Sequence, residues 1–376
     1  MPDLSDLQAS DDEKAHFRED LLDWYDDHKR QMPWRETNDP YAIWVSEIML
    51  QQTRVDTVRA YYRRFLEAFP TVEDLAAADR DEVLKLWEGL GYYSRARYLH
   101  EAAEQVVEEH DGQVPETMDA IRDLKGIGPY TAAAVLSIAY QKPHAVLDGN
   151  VARLLTRIYA VDDDSTSSTT KRHLRRLANE LLNRERPADF NQAMMELGST
   201  VCTPTSPDCD ACPVSTVCRA HAKSDEERYP ITPDAKPVPH YDIAVALIFD
   251  DDGRLLIQRR PDEGQLAGLW EFPGGKYEED ADDSMEAACR REIREELGVD
   301  IDIEEPFYTL KHAYTHFKIT LHAFRCRITD GAPTAREDQP MTWVTLDELE
   351  DYAFPRANGK LIEELHRRQE EPSLFD

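Results

Sequence analysis

The sequence predicts a chain of two folds, an all-α domain followed by an α+β domain. Three observations carry this. From about Phe17 to Glu196, apolar residues recur with helical spacing and no alternating strand pattern interrupts them. Residues 222–240 (AKSDEERYPITPDAKPVPH) are polar and proline-rich, the composition of a linker. Beyond them, short alternating apolar runs flank tight turns. The expected limits are 1–221 for the helical domain, 222–240 for the linker and 241–376 for the second domain. A chain of 376 residues is long enough for two separate cores.

In the first domain, Thr71 and Asp79 read as helix N-caps, Asp79 paired with Glu82. Gly89 and Gly112 stand where helices should end. In the second, IAVALIFDDDGRLLIQRR reads as strand, acidic turn, strand. SMEAACRREIREELG is an amphipathic helix ending at Gly298, HFKITLHAFRCRI alternates like a strand, and RANGKLIEELHRR closes the domain as a helix. No internal repeat is apparent.

The formal net charge is −31. Phosphate binding favours a basic surface, so this charge alone argues against nucleic acid. The acid is dispersed (DDEK, DDHK, EEDADD, DELED) rather than gathered in a tail, and Arg outnumbers Lys. Salt screens such self-repulsion, which suggests a halophilic habitat; an ordinary acidic enzyme is the alternative. No run of about 18 apolar residues exists, so no membrane span is expected. The acidic N-terminus lacks the apolar core of a signal peptide. The expectation is a cytoplasmic monomer.

Four of the six cysteines, Cys202, Cys209, Cys212 and Cys218, are spaced C-x6-C-x2-C-x5-C. In a reducing compartment such a cluster points to metal before disulfides. Zinc ligands usually come as two short pairs around a longer folded stretch, whereas four thiolates from one compact loop suit a [4Fe–4S] cluster. Zinc and a disulfide framework stay open as alternatives. Cys289 and Cys326 read as small buried hydrophobes.

In LKGIGPYTAAAV, Gly126 and Gly128 permit backbone dihedrals closed to other residues and a close approach to a ligand, and Pro129 opens the next helix. Outward amides at that helix start form an anion site, although a GxG taken alone is usually just a turn. In LDGNVARLLTRIY, Asp148 precedes a helix and reads first as an N-cap. In WVSEIMLQQTRVDTV, Glu47 is the lone acid of the apolar run WVSEIML. It is either a solvated helix residue or a half-buried acid with a raised pKa, available as a general acid.

With LKGIGPYT, LDGNV and the cysteine spacing together, residues 17–220 resemble the helix-hairpin-helix DNA glycosylases of the endonuclease III and MutY group. The fold class implied is an all-α helix-hairpin-helix glycosylase with a [4Fe–4S] loop, followed by an α+β Nudix-like domain. The resemblance implies that the cluster on the four cysteines is structural and supports a DNA-contacting loop. It makes Asp148 the carboxylate that stabilises positive charge at C1′ as the base leaves, with Asn150 positioning it or a water. Glu47, in SEIMLQQT, matches the MutY-type glutamate that protonates adenine. Where the bifunctional branch has a Schiff-base lysine this chain has Tyr130, which implies a monofunctional enzyme that leaves an abasic site. Gln52 and Tyr92, in LQQT and GLGYYSRAR, resemble residues that wedge into the duplex when the base is flipped. Arg95 and Arg97 read as phosphate contacts, and Tyr93 as core.

The second domain resembles the C-terminal domain of MutY proteins, which reads 8-oxoguanine on the opposite strand. Tyr314, Thr315 and His316 of LKHAYTHFKITL match its recognition loop; Thr315 keeps the hydroxyl and Tyr314 the aromatic wedge. EFPGG and RREIREELG also resemble a Nudix box, which would put Mg²⁺ on Glu292, Glu295 and Glu296. The segment between them is two residues longer than usual and Asp283 stands where the upstream glutamate would be, so neither hydrolysis nor Mg²⁺ is expected. The expected function is removal of adenine opposite 8-oxoguanine or guanine in duplex DNA. The alternatives are an endonuclease III-like lyase, opposed by Tyr130, a Nudix nucleotide hydrolase, and a non-catalytic lesion-binding protein. The tail QEEPSLFD loosely resembles a sliding-clamp motif with the wrong spacing.

Overall fold

A computed structural model describes residues 10–234, 237–264, 266–335 and 339–370 of the chain. Most of the clamp-like tail, 371–376, lies outside them. In chain order the helices are α1 (Asp11–His28), α2 (Pro40–Leu50), α3 (Val55–Ala68), α4 (Val72–Ala77), α5 (Arg80–Trp87), α6 (Ser94–Glu109), α7 (Met118–Asp123), α8 (Pro129–Ile138), α9 (Gly149–Tyr159), α10 (Ser168–Leu181), α11 (Pro187–Thr200), α12 (Arg219–Ala222), α13 (Met285–Leu297) and α14 (Arg356–Glu370). The strands are β1 (His240–Ile248), β2 (Leu255–Arg259), β3 (Trp270–Glu271), β4 (Gly274–Lys276), β5 (Asp300–Ala313), β6 (Lys318–Asp330) and β7 (Met341–Val344). Among the described residues, no helix is long and apolar enough to cross a membrane.

The residues form two compact units, one of Met1–Ala77 with Tyr98–Ala235, the other of Ala78–Arg97 with Lys236–Asp376. The first unit is helical and has its core where α1, α8, α9, α10 and α11 meet, through Leu21, Ala134, Leu154, Leu155, Leu177 and Leu197. Its caps follow the sequence. Thr71 and Asp74 bond each other's amides at the start of α4, and Gly112 takes φ +73° beyond the end of α6. The proline-rich stretch is only partly a linker. Tyr229 is 1% exposed, its hydroxyl bonds Asp162, and Arg157 donates to the carbonyls of Glu226 and Tyr229.

The second unit holds two sheets, ordered β4-β1-β6-β5 and β3-β2-β7. β1 pairs parallel with β6 and antiparallel with β4, and β5 and β6 form a long antiparallel pair. The strand-turn-strand expected at 243–260 exists, but β1 and β2 lie in different sheets; just past β1, Phe249 forms an isolated bridge to Leu255. The physical reason is in the burial. Both strands bury both faces, Val245 and Ile257 in one core, Ala246 and Leu256 in the other, so each joins a sandwich rather than a two-strand ribbon. α13 ends at Gly298, φ +71°, as its sequence predicts.

Residues 78–97, within the span expected for the helical domain, pack with 236–376. Asp79 caps α5 through the Asp81 amide rather than through a pairing with Glu82. Lys85 donates to the Tyr352 carbonyl, the Phe354 amide donates to Glu88, and Arg80 pairs with Asp262. Tyr93 is buried and its hydroxyl reaches the Phe354 carbonyl, in keeping with a core role.

Candidate active site

α2 starts at an Asp39 cap with Pro40 in its first turn, and nine of its residues are buried. A helix apolar all round belongs in an interior, and it carries Glu47 in with it, 4% exposed. Burial pushes the Glu47 carboxyl up to about 7, the nearby Asp148 charge adding to the rise; a hydrogen bond from Tyr130 and the charge of Arg35 oppose it. The Tyr130 hydroxyl donates to Glu47 Oε2 at 2.7 Å and also reaches Met195 Sδ at 3.3 Å.

Tyr130 is delivered by the hairpin between α7 and α8. Gly126 sits at φ +73°, and a Cβ there would lie 2.6 Å from the Tyr98 Cβ, so both conformation and space require glycine. Gly128 differs from the sequence expectation: it caps α8 at φ −87° with open space around it. Its lack of a side chain leaves the amides of the first turn of α8 uncovered, an arrangement that favours anions.

Asp148 is an N-cap, as its position predicts, Oδ1 accepting from the Val151 amide at 2.7 Å. Oδ2 accepts from Asn150 Nδ2 at 3.0 Å. Burial raises the Asp148 pKa while the bonds from Val151 and Asn150 pull it back. Asn150 accepts in turn from Arg153, whose guanidinium also donates to the carbonyls of Gly198 and Cys202. The structure therefore brings Glu47, Tyr130, Asp148 and Asn150 together: a buried carboxyl poised to hold a proton near neutral pH, and a carboxylate fixed at a helix start. Sequence reasoning did not find Arg153, Met195, or Glu196, which is 2% exposed and paired with Arg30 and Arg35. For Arg153 and Glu196 the signal was a charge at an apolar-face position; Met195 gave none. Gln52 follows α2, exposed, at φ +55°.

The four clustered cysteines are free thiols around one small cavity with Arg157, His221 and Glu226. Arg157, 1% exposed, donates to Cys202 Sγ at 3.2 Å and to the carbonyls of Thr203 and Pro204. His221 and Glu226 pair at 2.6 Å. Burial pushes the Cys209 thiol up to about 11 and the Cys212 thiol up to about 12, and the neighbouring cysteines push further. Cys209 and Cys212 lose their protons readily only against a bound cation, so this donor set fits a thiolate-held metal group.

In the second unit, Tyr314–Phe317 form the turn between β5 and β6, the Tyr314 amide donating to the Phe317 carbonyl at 2.8 Å. Thr315 and His316 stand exposed at its tip, while Tyr314 is partly buried and stacks on Phe317 at 4.7 Å. The Tyr92 hydroxyl donates to Thr315 Oγ1 at 2.7 Å and its ring meets His316 edge-on at 6.3 Å. These residues line a cavity of about 470 Å³. Arg95 corrects the sequence expectation of a phosphate contact: it is 8% exposed, with its guanidinium bonded to the carbonyls of Leu90, Gly91 and Tyr92. Arg97 is likewise buried and donates to the Asp262 carbonyl. On α13, Glu296 accepts from Gln258 and the Gly274 amide, and Arg291 pairs with Glu292, Glu295 and Asp282.

The pattern of the HhH-GPD superfamily of base excision DNA repair proteins matches residues 45–180, and that of the NUDIX domain matches 244–364. An adenine DNA glycosylase of Rattus norvegicus is 36% identical over 97% of this chain and 80% of its own length. The chain belongs to the adenine DNA glycosylase family. The glycosylase has a human relative of the same name at 35% identity, covering 93% of the chain and 74% of the relative. One from Buchnera aphidicola subsp. Acyrthosiphon pisum is 28% identical over 93% and 97%. Among solved structures, a thermostable thymine-DNA glycosylase aligns with 57% of the glycosylase and all of its own chain, at TM-score 0.53 and 31% identity. An endonuclease III–DNA covalent intermediate, at 20% identity and TM-score 0.50, shares the fold of 58% of the chain. The protein is thus a DNA N-glycosylase of base excision repair.

Proposed function

We propose that this glycosylase removes adenine opposite 8-oxoguanine, or guanine, from duplex DNA and leaves an abasic site uncut. The carrying observation is Glu47: a buried carboxyl held up to about 7, touched by the hydroxyl of the residue where a lyase would need an amine. Glu47 gives its proton to the departing adenine, which is a poor leaving group until protonated. Tyr130 holds the carboxyl in place through its hydrogen bond and, being a phenol, forms no Schiff base. Asp148, fixed by the Val151 amide and Asn150, faces the positive charge that develops at C1′. Asn150 orients that carboxylate.

DNA phosphate sits on the amides at the start of α8, beside Gly128, which need no basic side chain; Gln52 and, separately, Tyr92 wedge into the duplex when the base is flipped. The cavity around Tyr92, Thr315 and His316 supports reading of the base opposite adenine, with the Thr315 hydroxyl as donor or acceptor. Cys202, Cys209, Cys212 and Cys218 would hold one [4Fe–4S] cluster, which supplies a structural crosslink to the loop rather than chemistry.

The test is a labelled duplex with one A opposite 8-oxoguanine, incubated at low and high KCl, half of each sample then heated in alkali. Breakage at the A only after alkali is expected. Breakage without alkali would show that another amine acts as nucleophile. Binding with no breakage would leave a lesion-binding protein.

A further inference from the structure

The turn between α5 and α6 contains Gly89 at φ +89°, Gly91 at +75° and Tyr92 at +49°. Glycine accepts the left-handed region freely, whereas tyrosine enters it only when its surroundings compel it. The compelling group is Arg95, in the first turn of α6. Its Nη2 donates to the carbonyls of Gly91 at 3.0 Å and Leu90 at 3.3 Å, and its Nε to that of Tyr92 at 3.4 Å. The same guanidinium lies 5.4 Å from the ring centres of both Trp87 and Tyr92. A planar fork that donates in several directions while stacking on two rings is something arginine does and lysine does not. The reward of this arrangement is at the tip: Tyr92 stands with its hydroxyl on Thr315 and its edge on His316.

We propose that Arg95 is a positioning residue for lesion reading, fixing the backbone of 90–92 so that Tyr92 stands against Thr315 and thereby setting how strongly base release depends on the base opposite adenine. This rests on the reading of the second unit as the part that senses 8-oxoguanine. It assigns Arg95 an indirect role, through Tyr92, in place of a phosphate contact.

The experiment compares single-turnover adenine release from duplexes with 8-oxoguanine or guanine opposite, using the full chain as wild type, Arg95→Met, Arg95→Lys, Thr315→Val and the Arg95→Lys/Thr315→Val double variant. Each Arg95 variant should slow release opposite 8-oxoguanine by about tenfold and opposite guanine by less than about threefold, so that the preference contracts. Because Arg95 acts through the Tyr92–Thr315 contact, the double variant should lose no more preference than the worse single one. Proportional loss on both duplexes, no loss on either, or multiplying losses in the double variant would each overturn the proposal. Should Arg95→Met fail to fold, Arg95→Lys, which keeps the charge and stem, decides, with a melting curve beside the rates. A wild type without preference would overturn the lesion-reading assignment and the proposal with it; a preference that the Arg95 variants retain overturns the proposal alone.

Discussion

At the scale of single residues, the proposed chemistry asks for one carboxyl held neutral and another ionised. Glu47→Gln keeps the shape and removes the proton donor, so adenine release should fall by roughly 10²–10⁴-fold. The same change should stabilise the protein at pH 8. The folded-state pKa of about 7 lies above the ordinary 4.5, so the native state holds a proton that the unfolded chain releases, and stability is lost as pH rises from about 4.5 through 7. Melting curves should show Glu47→Gln more stable than wild type at pH 8 by on the order of 3 kcal/mol, the gain vanishing towards pH 4.5. Release by the wild type should decline above pH 7 as Glu47 ionises. Asp148→Asn retains a good helix cap, so its melting temperature should stay close to wild type while release falls by about 10²–10³-fold. The grouping of the four cysteines was legible from their spacing, whereas Glu47 and Asp148 stood out only through the family resemblance, a lone acid in an apolar helix and a helix cap being unselective by themselves. The Tyr130–Glu47 bond was not, since it joins positions 83 apart that only packing brings together. Arg95 misled because a sequence displays charge and not burial.

At the scale of elements, the α7–α8 hairpin offers two glycines with separable roles. Gly126→Ala forces a left-handed residue into a Tyr98 contact and should lower stability by about 1–2 kcal/mol. Gly128→Ala meets neither strain nor crowding, so melting should barely change; its expected effect is weaker DNA binding, measured by fluorescence anisotropy, as the methyl screens the amides. Equal stability losses in both variants would sink this division. The helical elements were legible from periodicity and caps, as at Thr71 and Gly298. The sheet order was not. The run 243–260 shows two strands and an acidic turn, yet whether those strands pair depends on partners such as Leu321 of β6, which pairs with Ile243 from far along the chain.

At the scale of the whole molecule, a net charge of −31 makes compactness work against self-repulsion, which salt screens within a Debye length of about 8–10 Å. Melting temperature should therefore climb between dilute buffer and molar KCl. Contacts made by backbone amides release few counterions, so log affinity for DNA should fall against log salt with a slope smaller in magnitude than about 5. A steeper slope would mean that lysines and arginines carry the phosphate contacts. The change of fold class near residue 240 was legible from composition. The assignment of 78–97 to the second unit was not, because α5 carries the same helical pattern as its neighbours in sequence and only its bonds to Asp262, Tyr352 and Phe354 reveal its partner.

On the proposed mechanism one side chain both begins α9 and bears the charge for the reaction, which has a genetic consequence. A single-base change from an aspartate to an asparagine codon at 148 leaves the cap, and hence the fold, in place. With the proposed substrate, the product would be a stable protein that occupies the damaged pair without clearing it. Such an allele would shield the lesion from other repair and harm the cell more than a deletion of the gene.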